Sequence, residues 1–102
     1  MRSRKKSESI FMELEEVAYR LFSEIRHESG RFRTGVCELK GKKILFMNNN
    51  QSIEERIYAL AEAISKQNID EVYLKPVVRA EIEHQLEILN KTADIYKEND
   101  GQ

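Results

Sequence analysis

The fold of this chain is decided by residues 34–48, TGVCELKGKKILFMN, in which two apolar runs flank the dipeptide Gly41-Lys42. A two-residue loop that opens with glycine is typical of a type II′ β-hairpin, because glycine accepts a positive φ at the first loop position. That turn pairs Leu39 with Ile44 across the hairpin. It also places four apolar side chains on one face, namely Leu39, Cys37, Ile44 and Phe46. We predict that this face packs into the core and that Cys37 is buried there.

The opposite face of the hairpin is charged near the turn and apolar at its other end, where it carries Val36, Leu45 and Met47. An apolar patch of this kind needs cover from a helix or from another chain. We therefore name these three residues as candidate interface residues.

Helices are predicted on both sides of the hairpin in the sequence. Apolar residues recur at helical spacing over residues 9–21, and Ser52-Ile53-Glu54-Glu55 is a capping box that begins a second helix ending near residue 67. Pro76 suits the first turn of a third helix. Its apolar residues follow a stripe close to a heptad pattern, namely Val78, Ile82, Leu86, Leu89, Ala93 and Tyr96. Leu86, Leu89 and Tyr96 complete the candidate interface, since the distal half of this helix could pack on a second copy.

The predicted fold class is α+β, with a small antiparallel sheet packed against two or three amphipathic helices. The sheet consists of the hairpin and one short edge strand at Glu24–Glu28, where charged residues alternate with Ile25 and His27. Residues 1–8 are predicted to be a flexible basic tail, residues 9–97 a single domain, and residues 98–102 a frayed C-terminus.

Composition and charge exclude several classes of protein. The 102 residues are 40% hydrophobic and 34% charged with a mean hydropathy of −0.63, which fits one globular domain and argues against an integral membrane protein or a wholly disordered chain. The net charge of −1 argues against nucleic acid as the main partner. The single cysteine fits a reducing compartment, and no apolar segment follows the basic N-terminus. We expect a cytoplasmic protein without a membrane partner.

The residue patterns of common active sites are missing from the sequence. His27 and His84 lie far apart, and neither belongs to a motif with the spacing of metal ligands. The sequence also lacks a glycine-rich phosphate loop, and its carboxylates fall on predicted solvated faces. We therefore assign no catalytic, cofactor-binding or metal-binding residue and expect no cofactor, although the sequence leaves an enzymatic role open.

One short motif is a candidate contact for single-stranded nucleic acid. Arg31 and Arg33 flank Phe32 before the hairpin, so two cations and one aromatic ring lie together. Such a cluster can bind phosphates and stack on a base. The alternative interpretation is that Phe32 anchors the start of the strand in the core.

The order of the predicted elements resembles the small zincin-like domains of the minimal gluzincin type, in which a glycine-bounded hairpin precedes the active-site helix. The matching hairpin residues are Gly35, Gly41, Ile44 and Asn48. The helical segment Ala59-Leu60-Ala61-Glu62-Ala63-Ile64-Ser65-Lys66 is similar to the family's Leu-Ala-His-Glu-Leu-x-His helix. Glu62, Ala63 and Lys66 stand where the first zinc ligand, the general base and the second ligand would be. The resemblance therefore implies a degenerate domain that lacks catalytic zinc.

A second resemblance is to small bacterial proteins of unknown function. It rests on the segment Leu74-Lys75-Pro76-Val77-Val78-Arg79, which follows the hairpin and the second helix in those proteins as well. This likeness implies no activity.

Three functions follow from these observations. The first is a non-enzymatic module for protein–protein interaction or self-association, as a homo-oligomer or with a protein partner whose identity the sequence does not give. The second is the degenerate zincin-like relative, and the third is a weak binder of single-stranded nucleic acid through Arg31-Phe32-Arg33. The interface residues and the missing catalytic patterns favour the first.

Overall fold

The computed structural model describes the backbone of residues 2–70 and 72–100, and the side chains of these residues apart from Leu89 and residues 92–100. Three helices and three strands form an α+β fold, which confirms the predicted fold class. In chain order the elements are α1 (Arg4–Leu21), β1 (Glu24–Glu28), β2 (Gly35–Leu39), β3 (Lys42–Asn48), α2 (Ile53–Ser65) and α3 (Pro76–Asp100). Among the described residues, no helix is both long and apolar enough to cross a membrane.

The hairpin forms where the sequence predicts it, but its turn lies one residue earlier than expected. Leu39 pairs with Lys42, so Lys40 and Gly41 are the loop residues, and both have positive φ angles of 52° and 78°. Positive φ at both loop positions is the type I′ geometry, in which glycine favours the second position. The expected pairing of Leu39 with Ile44 is therefore wrong, and Ile44 pairs with Cys37.

The sheet is mixed, whereas an antiparallel sheet was predicted. Its strand order is β1-β3-β2, with β1 parallel and β2 antiparallel to the central β3. The chain leaves β1 through residues 29–34, crosses past β3 and returns as β2 of the hairpin. Both β1 and β2 are consequently edge strands.

The helices cover the face of the sheet that was predicted to need cover from a helix or from another chain. Leu45 and Met47 have no exposed surface and belong to the main hydrophobic cluster with residues of all three helices. They are core residues, so their assignment to an interface is wrong. Cys37 is exposed on the opposite face, so the prediction that it is buried is also wrong. The reason is that β3 is apolar on both faces, and its pattern alone does not select the face that the helices cover.

The start of α2 matches the prediction. Ser52 accepts a hydrogen bond from the backbone N–H of Glu55 at 3.2 Å, and the Glu55 carboxylate accepts one from the Ser52 backbone N–H at 3.3 Å. This reciprocal capping box satisfies two backbone donors that the first helical turn leaves free. It fixes the point at which α2 leaves the end of the sheet.

The N-terminal residues differ from the predicted flexible tail. Helix α1 begins at Arg4, with Ser3 as its N-cap. Arg2 bridges two helices, because its guanidinium lies 2.5 Å from a carboxylate oxygen of Glu54 on α2 and 2.7 Å from one of Glu81 on α3. These contacts tie the start of the chain to the body of the domain.

Helix α3 begins at Pro76, as predicted, and its buried side chains, among those that the structure describes, all lie in its first half. Its buried side chains are Val78, Glu81, Ile82 and Gln85. From Leu86 onward, the described side chains of α3 are exposed. The sequence prediction places residues 98–102 in a frayed end. The backbone of α3 is helical to Asp100, and Gly101 and Gln102 lie outside the described residues.

Candidate functional site

A groove with a volume of about 420 Å³ lies between edge strand β2 and helix α2. We call it the β2–α2 groove. Its sheet-side wall is formed by Arg33, Thr34, Gly35 and Val36. Its helix-side wall is formed by Ala59, Glu62, Ala63, Lys66 and Gln67. Because Val36 is 40% exposed and faces α2, the groove offers apolar surface as well as charge.

Helix α2 forms the groove with a face that adjoins its core stripe and shares Ala63 with it. Ile57, Leu60, Ala61, Ala63 and Ile64 are buried in the core. The groove residues Ala59, Glu62, Ala63 and Lys66 recur at spacings of three and four along the adjoining face of the helix. Ala59 and Ala63 are small, so the backbone of α2 comes close to the floor of the groove without filling it.

A buried amide holds the loop that precedes β2. The side chain of Asn48 is 3% exposed and donates hydrogen bonds to the backbone oxygens of Gly30 at 3.0 Å and Phe32 at 2.5 Å. Its backbone N–H donates to the hydroxyl of Thr34 at 2.9 Å. These bonds hold residues 30, 32 and 34, which are the neighbours of Arg31 and Arg33 in the chain.

Gln51 connects the same loop to the start of α2. Its side-chain oxygen accepts hydrogen bonds from the Thr34 hydroxyl at 2.7 Å and from the Thr34 backbone N–H at 3.1 Å. The loop and the helix are therefore held in a fixed relation across the groove. A groove whose walls are fixed in advance loses less entropy when it binds a partner.

Arg33 crosses from the loop toward α2. It lines the β2–α2 groove, and it also lines an adjoining hollow of about 320 Å³ beside Glu55 and Tyr58. Ala59 is shared by the same two spaces and lies opposite Arg33. The two hollows thus form one track along α2 with Arg33 at its middle.

Most charged groups around this track are engaged by other residues of the chain. Lys66 pairs with Glu62 at 3.1 Å, and Glu54 pairs with Arg2. The Glu55 carboxylate accepts hydrogen bonds in the capping box and keeps its negative charge beside the adjoining hollow. Within the described part of the chain, Arg33 has no carboxylate within ion-pair distance and its side chain is exposed. Arg33 is therefore the guanidinium of this track that is available to a ligand.

The Arg2 contact also changes the acid–base behaviour of Glu54. Hydrogen bonds from Arg2 and from the Ser7 hydroxyl lower the pKa of Glu54 below its usual value. The same ion pair raises the pKa of Arg2. Both groups therefore stay charged at neutral pH, and Glu54 is committed to Arg2 and Ser7.

The three residues that the zincin resemblance singles out all line the groove. Glu62, Ala63 and Lys66 face the space between β2 and α2. Their chemistry does not fit a zinc site, because Ala63 has no ligand or base and Lys66 is engaged with Glu62. Among the described residues, no three His, Cys, Asp or Glu side chains are grouped closely enough to hold a metal ion.

The three residues predicted to contact nucleic acid differ in exposure and do not line one surface together. Arg31 and Arg33 are exposed, whereas Phe32 is half-buried with its ring against Gly30. Only Arg33 of the three lines the groove. Binding of nucleic acid through these residues stays a prediction.

The remaining candidate interface residues are described only in part. Val36 lines the groove, and Leu86 is 38% exposed on α3. The side chains of Leu89 and Tyr96 lie outside the described residues. An interface that contains Val36 and Leu86 therefore stays a prediction.

Sequence reasoning missed Ala59 and Gln51 as parts of the site. The small residues Ala59 and Ala63 were a usable signal, because residues four positions apart share a helix face, and small side chains on that face let another element approach. Gln51 gave no comparable signal, since its role depends on the position of Thr34 across the loop.

Comparison of the chain with models of protein families, with curated proteins and with solved structures finds no match.

Proposed function

We propose that this chain is a non-enzymatic protein–protein interaction module and that the β2–α2 groove is its binding surface. The observation that carries the proposal is the groove itself, which a fixed loop and a capped helix build beside an unpaired strand edge. Edge strands and grooves beside helices are recurring sites of peptide recognition.

The chemistry of the groove favours binding over catalysis. A hydrolytic site needs an activated nucleophile or water and a base near it. The groove side chains are instead a methyl group at Ala63, an internal ion pair between Glu62 and Lys66, and the exposed guanidinium of Arg33. This set can orient and hold a polypeptide. The degenerate zincin-like relative stays an alternative proposal.

A photo-crosslinking experiment tests the binding surface. p-Benzoylphenylalanine is placed at Ala59 in the groove or at Ala80, which is exposed on α3 and serves as the matched control. We expect a protein adduct from position 59 that is absent from position 80. The partner, once identified and purified, must bind the full chain and lose affinity for Ala59→Trp. Adducts of equal yield at both positions would contradict the proposal.

A metal titration tests the non-enzymatic part of the proposal. Zinc that binds with one-to-one stoichiometry, and whose binding is lost in Glu62→Ala, would show that the groove holds a metal centre. We expect no difference between the full chain and Glu62→Ala in this titration, because the positions of the general base and the second ligand are Ala63 and Lys66.

A second candidate function is self-association through α3. It is supported by Leu86, which is 38% exposed on a 25-residue helix whose described side chains are exposed from that residue onward. Light scattering over a range of concentrations tests it. Self-association through this surface requires a dimer that Leu86→Glu dissociates and that Glu83→Gln, on the same helix, does not. A monomer at all concentrations would remove this candidate.

A further inference from the structure

The two edges of the sheet are protected to different degrees. Four of the five residues of β1 are charged or titratable, and they are Glu24, Arg26, His27 and Glu28. Charged edge residues are a common device against pairing with another chain. Strand β2 has one charged residue, Glu38, and no proline. The edge of β2 is therefore the one that can accept a further strand.

The backbone of β2 has hydrogen-bonding groups available for such a strand. The tight turn makes Leu39 and Lys42 the first pair of the ladder. In an antiparallel ladder only every second residue exchanges hydrogen bonds with its partner strand, so the N–H and C=O groups of the residues between point away. In β2 those residues are Val36 and Glu38. Within the described residues, β3 is the only strand that pairs with β2.

The groove gives room for the side chains of an added strand. Alternate side chains of such a strand would point to the helix side of the sheet, where Val36 already points. There they would meet Ala59 and Ala63, whose small side chains leave the floor of the groove open. An extended peptide can thus pair its backbone with β2 and bury every second side chain against α2.

Charge selects the chemistry of that peptide. Arg33 is the groove cation that lacks an ion-pair partner among the described residues, while Lys66 is paired with Glu62. The loop that carries Arg33 is held by Asn48 and Gln51, so the Arg33 guanidinium extends from a fixed backbone. Arginine binds carboxylates through two parallel hydrogen bonds, which gives direction as well as affinity.

We propose that the β2–α2 groove binds an extended peptide segment that adds as a strand to the edge of β2 and places a carboxylate on Arg33. This inference rests on the proposed function and names the class of partner. The partner is a protein with an exposed, extended segment in which apolar residues alternate with at least one acidic residue.

The test uses the full chain and random peptides displayed on phage. Peptides selected on the wild-type chain are synthesised, together with matched peptides in which each acidic residue is replaced by Gln. We expect the selected sequences to contain an acidic residue within an alternating apolar run. We expect the Gln peptides and the variant Arg33→Ala each to lower affinity by about tenfold or more. The control Arg31→Ala removes the same charge from the same loop outside the groove, and we expect it to change affinity less than about twofold.

A second measurement tests the mode of binding without a variant in the strand. Amide NMR signals of the wild-type chain are followed as the selected peptide is added, and the signals of Val36 and Glu38 should shift and become protected from hydrogen exchange. Signals of Ile25 and His27 on the other edge serve as the control and should remain unchanged.

The outcomes separate this inference from the proposed function. If peptides bind in the groove and Ala59→Trp abolishes binding, but Arg33→Ala acts no more strongly than Arg31→Ala, the carboxylate assignment is overturned while the groove remains a binding surface. If the peptides shift no signal of β2, strand addition is overturned. If no peptide is enriched, or all of them bind elsewhere on the chain, the inference and the binding surface both fail.

Discussion

The two faces of the sheet are both apolar at the central strand, yet they are covered in different ways. On the helix face, Leu45 and Met47 have no exposed surface and lie under α1, α2 and α3. On the outer face, Ile44 is 5% exposed and Phe46 is half-buried, and the guanidinium of Arg26 lies 5.7 Å from the centre of the Phe46 ring. One face is thus covered by a layer of helices and the other largely by neighbouring side chains of the sheet.

This difference teaches that an apolar strand face does not by itself predict a missing partner. The stem of an arginine side chain covers apolar surface while its charged end stays in water. Arg26 is also held by hydrogen bonds to Glu24 at 3.0 and 3.3 Å, which keep it over the strand. Burial of Ile44 therefore needs no second layer of secondary structure.

The largest expected difference between the two faces is in the free energy of unfolding that is lost when a leucine is replaced by alanine. Leu45→Ala should lower the free energy of unfolding by about 2–5 kcal/mol, because it leaves a cavity among three helices. Leu39→Ala on the outer face, where the residue is 45% exposed, should cost less than about 1 kcal/mol. Urea unfolding of both variants measures the difference. Equal losses would mean that the helices do not cover the Leu45 face.

The next effect concerns the turn that sets which residues of β2 and β3 oppose one another. Gly41→Ala should lower the free energy of unfolding by about 1 kcal/mol, since residue 41 has a φ of 78°. Lys40→Gly should be neutral or stabilising, because Lys40 also has a positive φ. Thermal or urea unfolding gives both values. If Lys40→Gly destabilised the protein and Gly41→Ala did not, the type I′ turn would be wrong.

A smaller effect is expected from the side-chain cover of the outer face. A double-mutant cycle with Arg26→Ala and Phe46→Leu should give a coupling of about 0.5–1 kcal/mol, which is typical of a cation near an exposed aromatic ring. The control cycle pairs Arg20→Ala with Phe46→Leu, because Arg20 lies on α1. Its coupling should be close to zero, and a similar value in both cycles would remove the role given to Arg26.

The smallest effect is a dependence of stability on pH that distinguishes carboxylates on the two sides of the sheet. The pKa of Glu54 is lowered by Arg2 and Ser7 in the folded state, and that of Glu24 by Arg26. A lowered folded-state pKa contributes stability that is present above the ordinary value of 4.5 and is lost as the pH falls through the folded value.

Acid titration of unfolding measures this contribution. Glu54→Gln and Glu24→Gln should each flatten the loss of stability below about pH 4.5. At 1 M salt the effect of Glu24→Gln should vanish. Part of the effect of Glu54→Gln should remain, because Glu54 also accepts a hydrogen bond from the hydroxyl of the buried Ser7. Acid profiles of Glu54→Gln and the wild-type chain that coincide at low salt would contradict the Arg2 contact.

Local patterns predicted much of the fold. The capping box at Ser52, the short strand at Glu24–Glu28 and the helix at Pro76 are confirmed, because each depends on side chains close in the sequence. The turn was misplaced by one residue since both Gly-Lys and Lys-Gly are compatible with a two-residue loop. This error shifted the predicted partner of each β2 residue by two positions along β3. Because side chains alternate between faces, the same residues still share each face of the hairpin.

The hairpin sequence alone does not indicate which face of the sheet the helices cover, because β3 is apolar on both sides. Strand β1 carries a signal for the buried face. Ile25 is its only aliphatic residue, and it pairs with Leu45 on the face that the helices cover. Using this signal requires knowledge that β1 pairs with β3 in parallel, which is a contact between distant parts of the chain. The groove was missed for the same reason, because Arg33 and Ala59 meet only after α2 folds back along β2.

The division of α2 into two stripes has a consequence for protein engineering. Ile57, Leu60, Ala61 and Ile64 serve the interior, while Ala59, Glu62 and Lys66 serve the groove. Ala63 belongs to both sets. The other groove residues can be substituted to change ligand preference, while substitutions in the core set change stability. Helix α2 is therefore a natural place to diversify residues in a library that keeps a constant scaffold.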